Sequence, residues 1–198
     1  MSKTVEFLFD VGSPYTYLAY HHLPVIARSH GARIAWTPVL LGGIFQATGN
    51  ASPAEVPAKS RHSQVDLQRW ARAYGVPFRM NPHFPINTLA MMRGAVAAQL
   101  HGGDALLQCY LGAIFPAMFE HPRDLGQPAE LGAVLAGAGL DPAQFLQWIA
   151  DPAVKDRLKQ NTAHAVERGV FGAPTFFVGD EMFWGQDRLD FVAQALAG

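Results

Sequence analysis

The residues with the clearest chemical promise stand at the end of an apolar run, in "FDVGSPYTYLAY" at 9–20. Gly12 and Ser13 fall there between a strand-like segment and a helical pattern, where a backbone presents free amide groups and the positive end of a helix dipole. Such a junction stabilises an anion, and Ser13 adds a hydroxyl donor. Taken alone, a serine before a helix is simply its N-cap. A second place is Ala173-Pro174, which as a trans pair would open an edge strand and as a cis pair would expose the preceding backbone to an extended peptide. The third is "WGQDR" at 184–188, where Asp187 is expected to cap the final helix. Eight histidines make no recognised zinc-ligand spacing, and Gly42-Gly43 is followed by no Gly-Lys-Ser/Thr, so neither a metal centre nor a phosphate loop is expected. Cys109 is the single cysteine, which excludes an intramolecular disulfide and a Cys-x-x-Cys redox centre and fits a reducing compartment. It lies in an apolar helical run and is expected to be a buried packing residue. Any thiol chemistry must borrow its sulfur.

The elements that hold these residues follow from composition and pattern. With 198 residues, 49% of them hydrophobic and 16% charged, and a formal charge of −1, the chain can bury a sizeable core and offers nothing to nucleic acid or an acidic membrane. A small molecule is the expected ligand. Glu6 and Asp10 interrupt the first apolar run, no export signal follows, and no stretch is long enough to cross a bilayer, so a cytoplasmic protein is expected. The runs "VEFLF" at 5–9 and "RIAWTP" at 33–38 read as strands, with a helix over 13–29 between them that starts at Pro14 and contains Pro24. Strand, helix, strand builds a parallel pair. The Gly-, Ser- and Pro-rich stretch 39–56 reads as a long connecting loop. From 57 to 169 the pattern is helical throughout, with Asp104, Asp141 and Asp151 placed as N-caps and Gly169 closing the last helix. Then "TFFV" at 175–178 and "MFW" at 182–184 flank Gly179-Asp180 as a hairpin, and Leu189, Val192 and Leu196 mark a last amphipathic helix.

That order, with "SPYT" at 13–16 in the place of a redox Cys-x-x-Cys and "GAPT" at 172–175 before the hairpin, resembles an α/β thioredoxin-like fold with an inserted all-helical domain. The thioredoxin-like part would be 1–40 and 160–198, and the connecting loop and helical insertion 41–159. More closely, the chain resembles the DsbA-like family of 2-hydroxychromene-2-carboxylate isomerases and kappa-class glutathione transferases. The motifs that carry this are "FDVGSPYTYLA", "LLGGIF", "GN" with Lys59 beyond it, "DLQRWA", "FPINT" and "VFGAPTFFVGDEMFWGQDR". The resemblance implies glutathione as cofactor and Ser13 as the group that stabilises its thiolate. It implies that Ala173 and a cis Pro174 pair with the peptide backbone, that Gln186 and Asp187 meet the γ-glutamyl end, and that Asn50 and Lys59 meet the peptide and its glycyl carboxylate. Tyr15 and Trp184 join that set, while Phe45, Trp70 and Phe84 would form a flat apolar slot for a small aromatic carboxylate. No Lys or Arg occurs between Arg33 and Lys59, and in this the loop resembles the kappa-class version. The implied reaction is isomerisation of 2-hydroxychromene-2-carboxylate or a related aromatic 2-oxo acid by reversible thiolate addition, rotation and elimination, in a homodimer. The alternatives are a kappa-like transferase or peroxidase and a non-catalytic thioredoxin-like binding protein.

Overall fold

The structure, a computed structural model, describes residues 3–198. Its centre is a four-stranded sheet in the order β2-β1-β3-β4, built from β1 (Thr4–Phe9), β2 (Arg33–Pro38), β3 (Thr175–Val178) and β4 (Glu181–Trp184). β1 pairs parallel with β2 and antiparallel with β3, which in turn pairs antiparallel with β4. A central strand has both faces covered and reads as a nearly continuous apolar run. In β1, Val5, Phe7, Leu8 and Phe9 are accordingly buried, and Phe7 stacks on Phe176 at 5.1 Å and tilts against Trp36 at 5.3 Å. The crossover from β1 to β2 is α1 (Pro14–Ser29), with Ser13 as its N-cap accepting from the Thr16 amide at 3.2 Å and Pro14 at its first position. Its inward face carries Tyr17, Leu18, Leu23 and Ile26.

The stretch expected to be a connecting loop is instead α2 (Leu41–Thr48) followed by a short 3-10 turn, Pro53–Glu55. Two glycines weaken a helix in isolation. Here the start of α2 is tied from outside, the Leu40 amide donating to Thr162 Oγ1 at 2.9 Å and the Leu41 amide to Asp10 Oδ2 at 2.8 Å. Local sequence carries no sign of either partner. The remaining helices are α3 (Pro57–Tyr74), α4 (Leu89–Phe119), α5 (Pro128–Gly137), α6 (Pro142–Ala150) and α7 (Pro152–Glu167). Asp141 and Asp151 cap α6 and α7 as expected. α4 is broken at Gly103, whose φ of 62° and ψ of −157° leave the helical region, so Asp104 lies just inside the second segment rather than at a separate cap.

Cys109 is exposed, contrary to the packing role expected of it. Leu107, Tyr110, Leu111 and Ile114 define the buried face of that segment, and Cys109 falls on the opposite side with Gly112. The chain closes with a 3-10 turn, Gln186–Arg188, and α8 (Leu189–Ala197). Asp187 therefore lies inside the turn and caps no helix; its carboxylate accepts from Arg188 Nη1 at 2.9 Å. One apolar core runs from the sheet into the helical segment, with Tyr17 against Phe119 at 5.5 Å and Tyr20 against Phe115 at 4.7 Å. A fully buried apolar side chain such as Phe115 or Phe119 contributes on the order of 1.5–3 kcal/mol. Among the described residues no helix is long and apolar enough to cross a membrane.

Candidate functional site

A cleft of about 700 Å3 opens where the first turn of α1 meets α2, α3 and the segments 172–174 and 184–187. That volume is within the usual range for a small-molecule site. Ser13 stands at its floor, 5% exposed. Its Oγ accepts from the Thr16 amide and donates to the Ala173 carbonyl at 3.0 Å, and the Ala173–Pro174 peptide is cis. The hydroxyl thus joins the helix start to the cis-proline segment. The amides of Gly12 and Ser13, expected to be free, are both taken: Gly12 donates to Asp10 Oδ1 at 2.9 Å and Ser13 to the Asp10 carbonyl at 3.1 Å. What the junction offers an anion is therefore the serine hydroxyl and the dipole of the first turn. A serine has one hydrogen, so donation to a ligand requires release of the Ala173 carbonyl.

The walls are held by contacts from several elements. Asn50 Nδ2 donates to the Phe171 carbonyl at 2.8 Å, which ties the chain after α2 to the segment before the cis proline. Trp184, 48% exposed, tilts against Phe171 at 4.9 Å and lies over Gly172, where a Cβ would stand 2.6 Å from its Nε1. Only glycine admits that approach. Gln186 is 3% exposed, and its carbonyl accepts from Tyr74 Oη at 3.0 Å. Burial, with Asp190 and Asp187 nearby, pushes the Tyr74 phenol up to about 12. Tyr15 donates to Asp66 Oδ2 at 3.3 Å, and burial, aided by Asp66 and Asp187, raises its pKa, so this phenol stays protonated. Among the lining residues Lys59 is the one lysine or arginine, facing Glu55, Asp66 and Asp187 as the acids. A smaller polar cleft of about 340 Å3, with Glu6, Arg157, His164 and Arg168, contains neither the helix start nor the cis proline. Its Arg168 is already paired with Glu6 at 2.6 Å.

Residues 4–197 match the family profile of the DSBA-like thioredoxin domain. A 2-hydroxychromene-2-carboxylate isomerase of Sphingobium xenophagum is 34% identical over 198 residues, covering 99% of either chain. The chain belongs to the family of 2-hydroxychromene-2-carboxylate isomerases and kappa-class glutathione transferases. A solved 2-hydroxychromene-2-carboxylate isomerase superposes with a TM-score of 0.86 at 32% identity, over 98% of this chain and 94% of that one. A glutathione S-transferase kappa 2 of Caenorhabditis elegans is 28% identical over 98% of this chain and 92% of its own. The isomerase fold is thus this chain's fold: a thioredoxin-like sheet with helices between its second and third strands.

Of the residues that this family resemblance singles out, the cleft gathers Ser13, Tyr15, Asn50, Lys59, Ala173, Pro174, Trp184, Gln186 and Asp187, together with Phe45 and Phe84. Trp70 is not in the lining. It sits half-buried against Tyr74 at 5.4 Å, on the same face of α3 as Asp66 and Leu67 but one turn further along the helix, beyond the cleft. Sequence reasoning passed over Ser60, Ser63, Gln64 and Asp66, which line the cleft from α3. The series Lys59, Ser63, Asp66 and the pair Ser60, Gln64, at steps of three and four residues, were the available signal. It also treated Asp10 only as a break in an apolar run.

Proposed function

We propose that the protein is a glutathione-dependent isomerase acting on 2-hydroxychromene-2-carboxylate or a related aromatic 2-oxo acid. The observation that carries this is the Ser13 hydroxyl at the first turn of α1, 3.0 Å from the carbonyl that precedes a cis proline, in a cleft large enough for a tripeptide and a flat ring. The donor set suits glutathione: the Ala173 backbone for its peptide, Lys59 for a carboxylate, Asp66 and Asp187 for its ammonium group. When bound, glutathione supplies a thiolate that adds reversibly to a conjugated carbon, so that a double bond becomes single long enough for rotation before elimination.

The chain's own residues do the rest. The Ala173 carbonyl would hold the peptide of glutathione, and once that carbonyl accepts from a ligand the Ser13 hydrogen would be free to turn toward a thiolate. Peptide binding and thiolate stabilisation would then be coupled through the one Ser13 hydrogen. The dipole of α1 favours the same charge, and an ordinary thiol pKa of about 8.5 leaves room for such a gain at neutral pH. The Tyr15 phenol stays protonated and could donate to a ligand only by leaving Asp66, to which its one hydrogen is given, and Phe45, Phe84 and Trp184 give apolar walls that keep water from the reacting carbons. A reducing, cytoplasmic setting and a homodimer accompany this reading, supported by the lone cysteine and by the family.

One observation favours a second reading. Lys59 is the one lysine or arginine of the lining, and if it holds the glycyl carboxylate no such cation remains for a carboxylate substrate. A thiolate that stays attached to its acceptor would then make the protein a kappa-like transferase. The test is conversion of 2-hydroxychromene-2-carboxylate with glutathione absent, present and quantified afterwards. Conversion that needs glutathione and returns all of it supports the isomerase; loss of one glutathione per turnover supports the transferase. No glutathione binding at all would leave a non-catalytic thioredoxin-like binding protein.

A further inference from the structure

Asp10 is a carboxylate at the end of an apolar strand, 1% exposed, and no cation pairs with it among the described residues. A buried charge without a counter-ion needs dense hydrogen bonding. Asp10 has it from three separate segments. Oδ1 accepts from the Gly12 amide at 2.9 Å, and Oδ2 accepts from the Leu41 amide at 2.8 Å and from Thr88 Oγ1 at 3.1 Å. Each donor stands at the start of a helix: Gly12 precedes the cap of α1, Leu41 is the first residue of α2, and Thr88 occupies the cap position of α4. Three helix N-termini therefore face one carboxylate.

Thr88 shows that this arrangement displaces ordinary capping. A cap threonine bonded to its own helix is worth about 1 kcal/mol, yet the Thr88 side chain makes no such bond and turns to Asp10 instead. The fit is close enough to require Gly12, since a Cβ there would stand 2.6 Å from Thr88 Cγ2 and 3.3 Å from Asp10 Oδ1. Asp10 itself does not line the cleft, but each segment it holds does: Gly12 and Ser13, Leu41 and Phe45 on α2, and Phe84 in the segment leading to Thr88.

Resting on the reading of this cleft as a thiolate site, we propose that Asp10 is its positioning residue, whose carboxylate fixes the Ser13 turn, the start of α2 and the segment 84–88 against one another. The Ser13 hydroxyl and the Phe45 and Phe84 walls then keep one geometry through turnover. The glutathione contacts on Ala173, Lys59 and Asp187 belong to other segments, so loss of Asp10 is felt in kcat more than in glutathione affinity.

The test combines kinetics with amide exchange in wild type, Asp10→Asn, Thr88→Val and the double variant. Asparagine keeps the shape of the side chain but leaves one acceptor oxygen, so its NH2 faces either the Gly12 N–H or the Leu41 N–H and Thr88 O–H together. In Asp10→Asn, kcat is expected to fall about tenfold to a hundredfold, while KM for glutathione stays within about threefold. Thr88→Val is expected to lose less, Thr88→Ser to restore wild-type kcat, and the double variant to be no worse than Asp10→Asn. Without any ligand, at least one of the Gly12 and Leu41 amides is expected to exchange about tenfold faster in Asp10→Asn, with the β1 and β3 amides unchanged. Unchanged kcat, additive losses, or unchanged exchange at Gly12 and Leu41 would overturn the proposal. If Asp10→Asn fails to fold, Thr88→Val and Thr88→Ser decide it by the same measurements, equal kcat in the two overturning it. Wild-type protein that binds no glutathione would overturn the reading of the cleft and the kinetic role with it, whereas the exchange result judges the Asp10 tie by itself.

Discussion

The Ser13 hydroxyl carries one hydrogen, which lies on the Ala173 carbonyl at 3.0 Å. That bond ties the cap of α1 to the segment of the cis proline, and the sequence motif conveys the cap without the tie. Two glycines at this scale separate packing from binding. An alanine at Gly12 or at Gly172 meets its nearest neighbour at the same 2.6 Å, but Thr88 is 9% exposed and fixed by Asp10 while Trp184 is 48% exposed and able to swing. Gly12→Ala is expected to destabilise by about 1–3 kcal/mol in denaturant titrations. Gly172→Ala is expected to leave stability nearly unchanged and to weaken glutathione binding about tenfold by calorimetry, equivalent to roughly 1.4 kcal/mol. Equal stability losses at the two positions would contradict this account. That Ser13, Ala173 and Pro174 share one cleft was legible because residue type and place suffice for it. Cys109 was misread because an apolar run does not say which of its residues face out, and Trp70 because helical spacing does not say how far along α3 the cleft reaches.

At the scale of elements, the helices that carry their own caps were legible and those capped from afar were not. Asp141 and Asp151 precede Pro142 and Pro152 and bond their own first-turn amides at 2.8 to 3.3 Å. Asp151→Ala is therefore expected to lower stability by about 1 kcal/mol without changing turnover, measurable as a shifted denaturation midpoint at constant activity. A lost activity would mean that α7 shapes the cleft more than its contacts indicate. The segment α2 is the opposite case: its amides depend on Thr162 and Asp10, 122 and 31 residues distant, and a glycine-rich stretch with no cap of its own reads as loop. The strands were legible to within a residue because buried β1 and the hairpin β3–β4 follow from composition and turn residues alone.

Across the whole molecule, one core joins the sheet to the helices, and α1 meets the end of α4 through Tyr17 Oη on Glu120 Oε1 at 2.9 Å, with His21 Nε2 4.0 Å from the same oxygen. Burial lowers the His21 pKa against the pull of Glu120, and likewise that of His22 against Asp190. Unfolded chains take up these protons at a pH of about 6.5, whereas the folded protein resists until lower pH. Stability is thus whole above that value and declines as pH falls below it. The melting temperature is expected to drop between about pH 6.5 and 5, and less steeply in His21→Gln; parallel curves for the two proteins would exclude His21 from the effect. The central claim, that Ser13 at the start of α1 holds glutathione as its thiolate, is tested most directly by the ultraviolet thiolate absorbance of bound glutathione in wild type and Ser13→Ala across neutral pH. The expected result is a bound thiol that ionises at least one pH unit below an ordinary thiol's value of about 8.5 in wild type and returns toward it in Ser13→Ala, with both proteins binding the peptide. Binding with the same ionisation in both would contradict the claim.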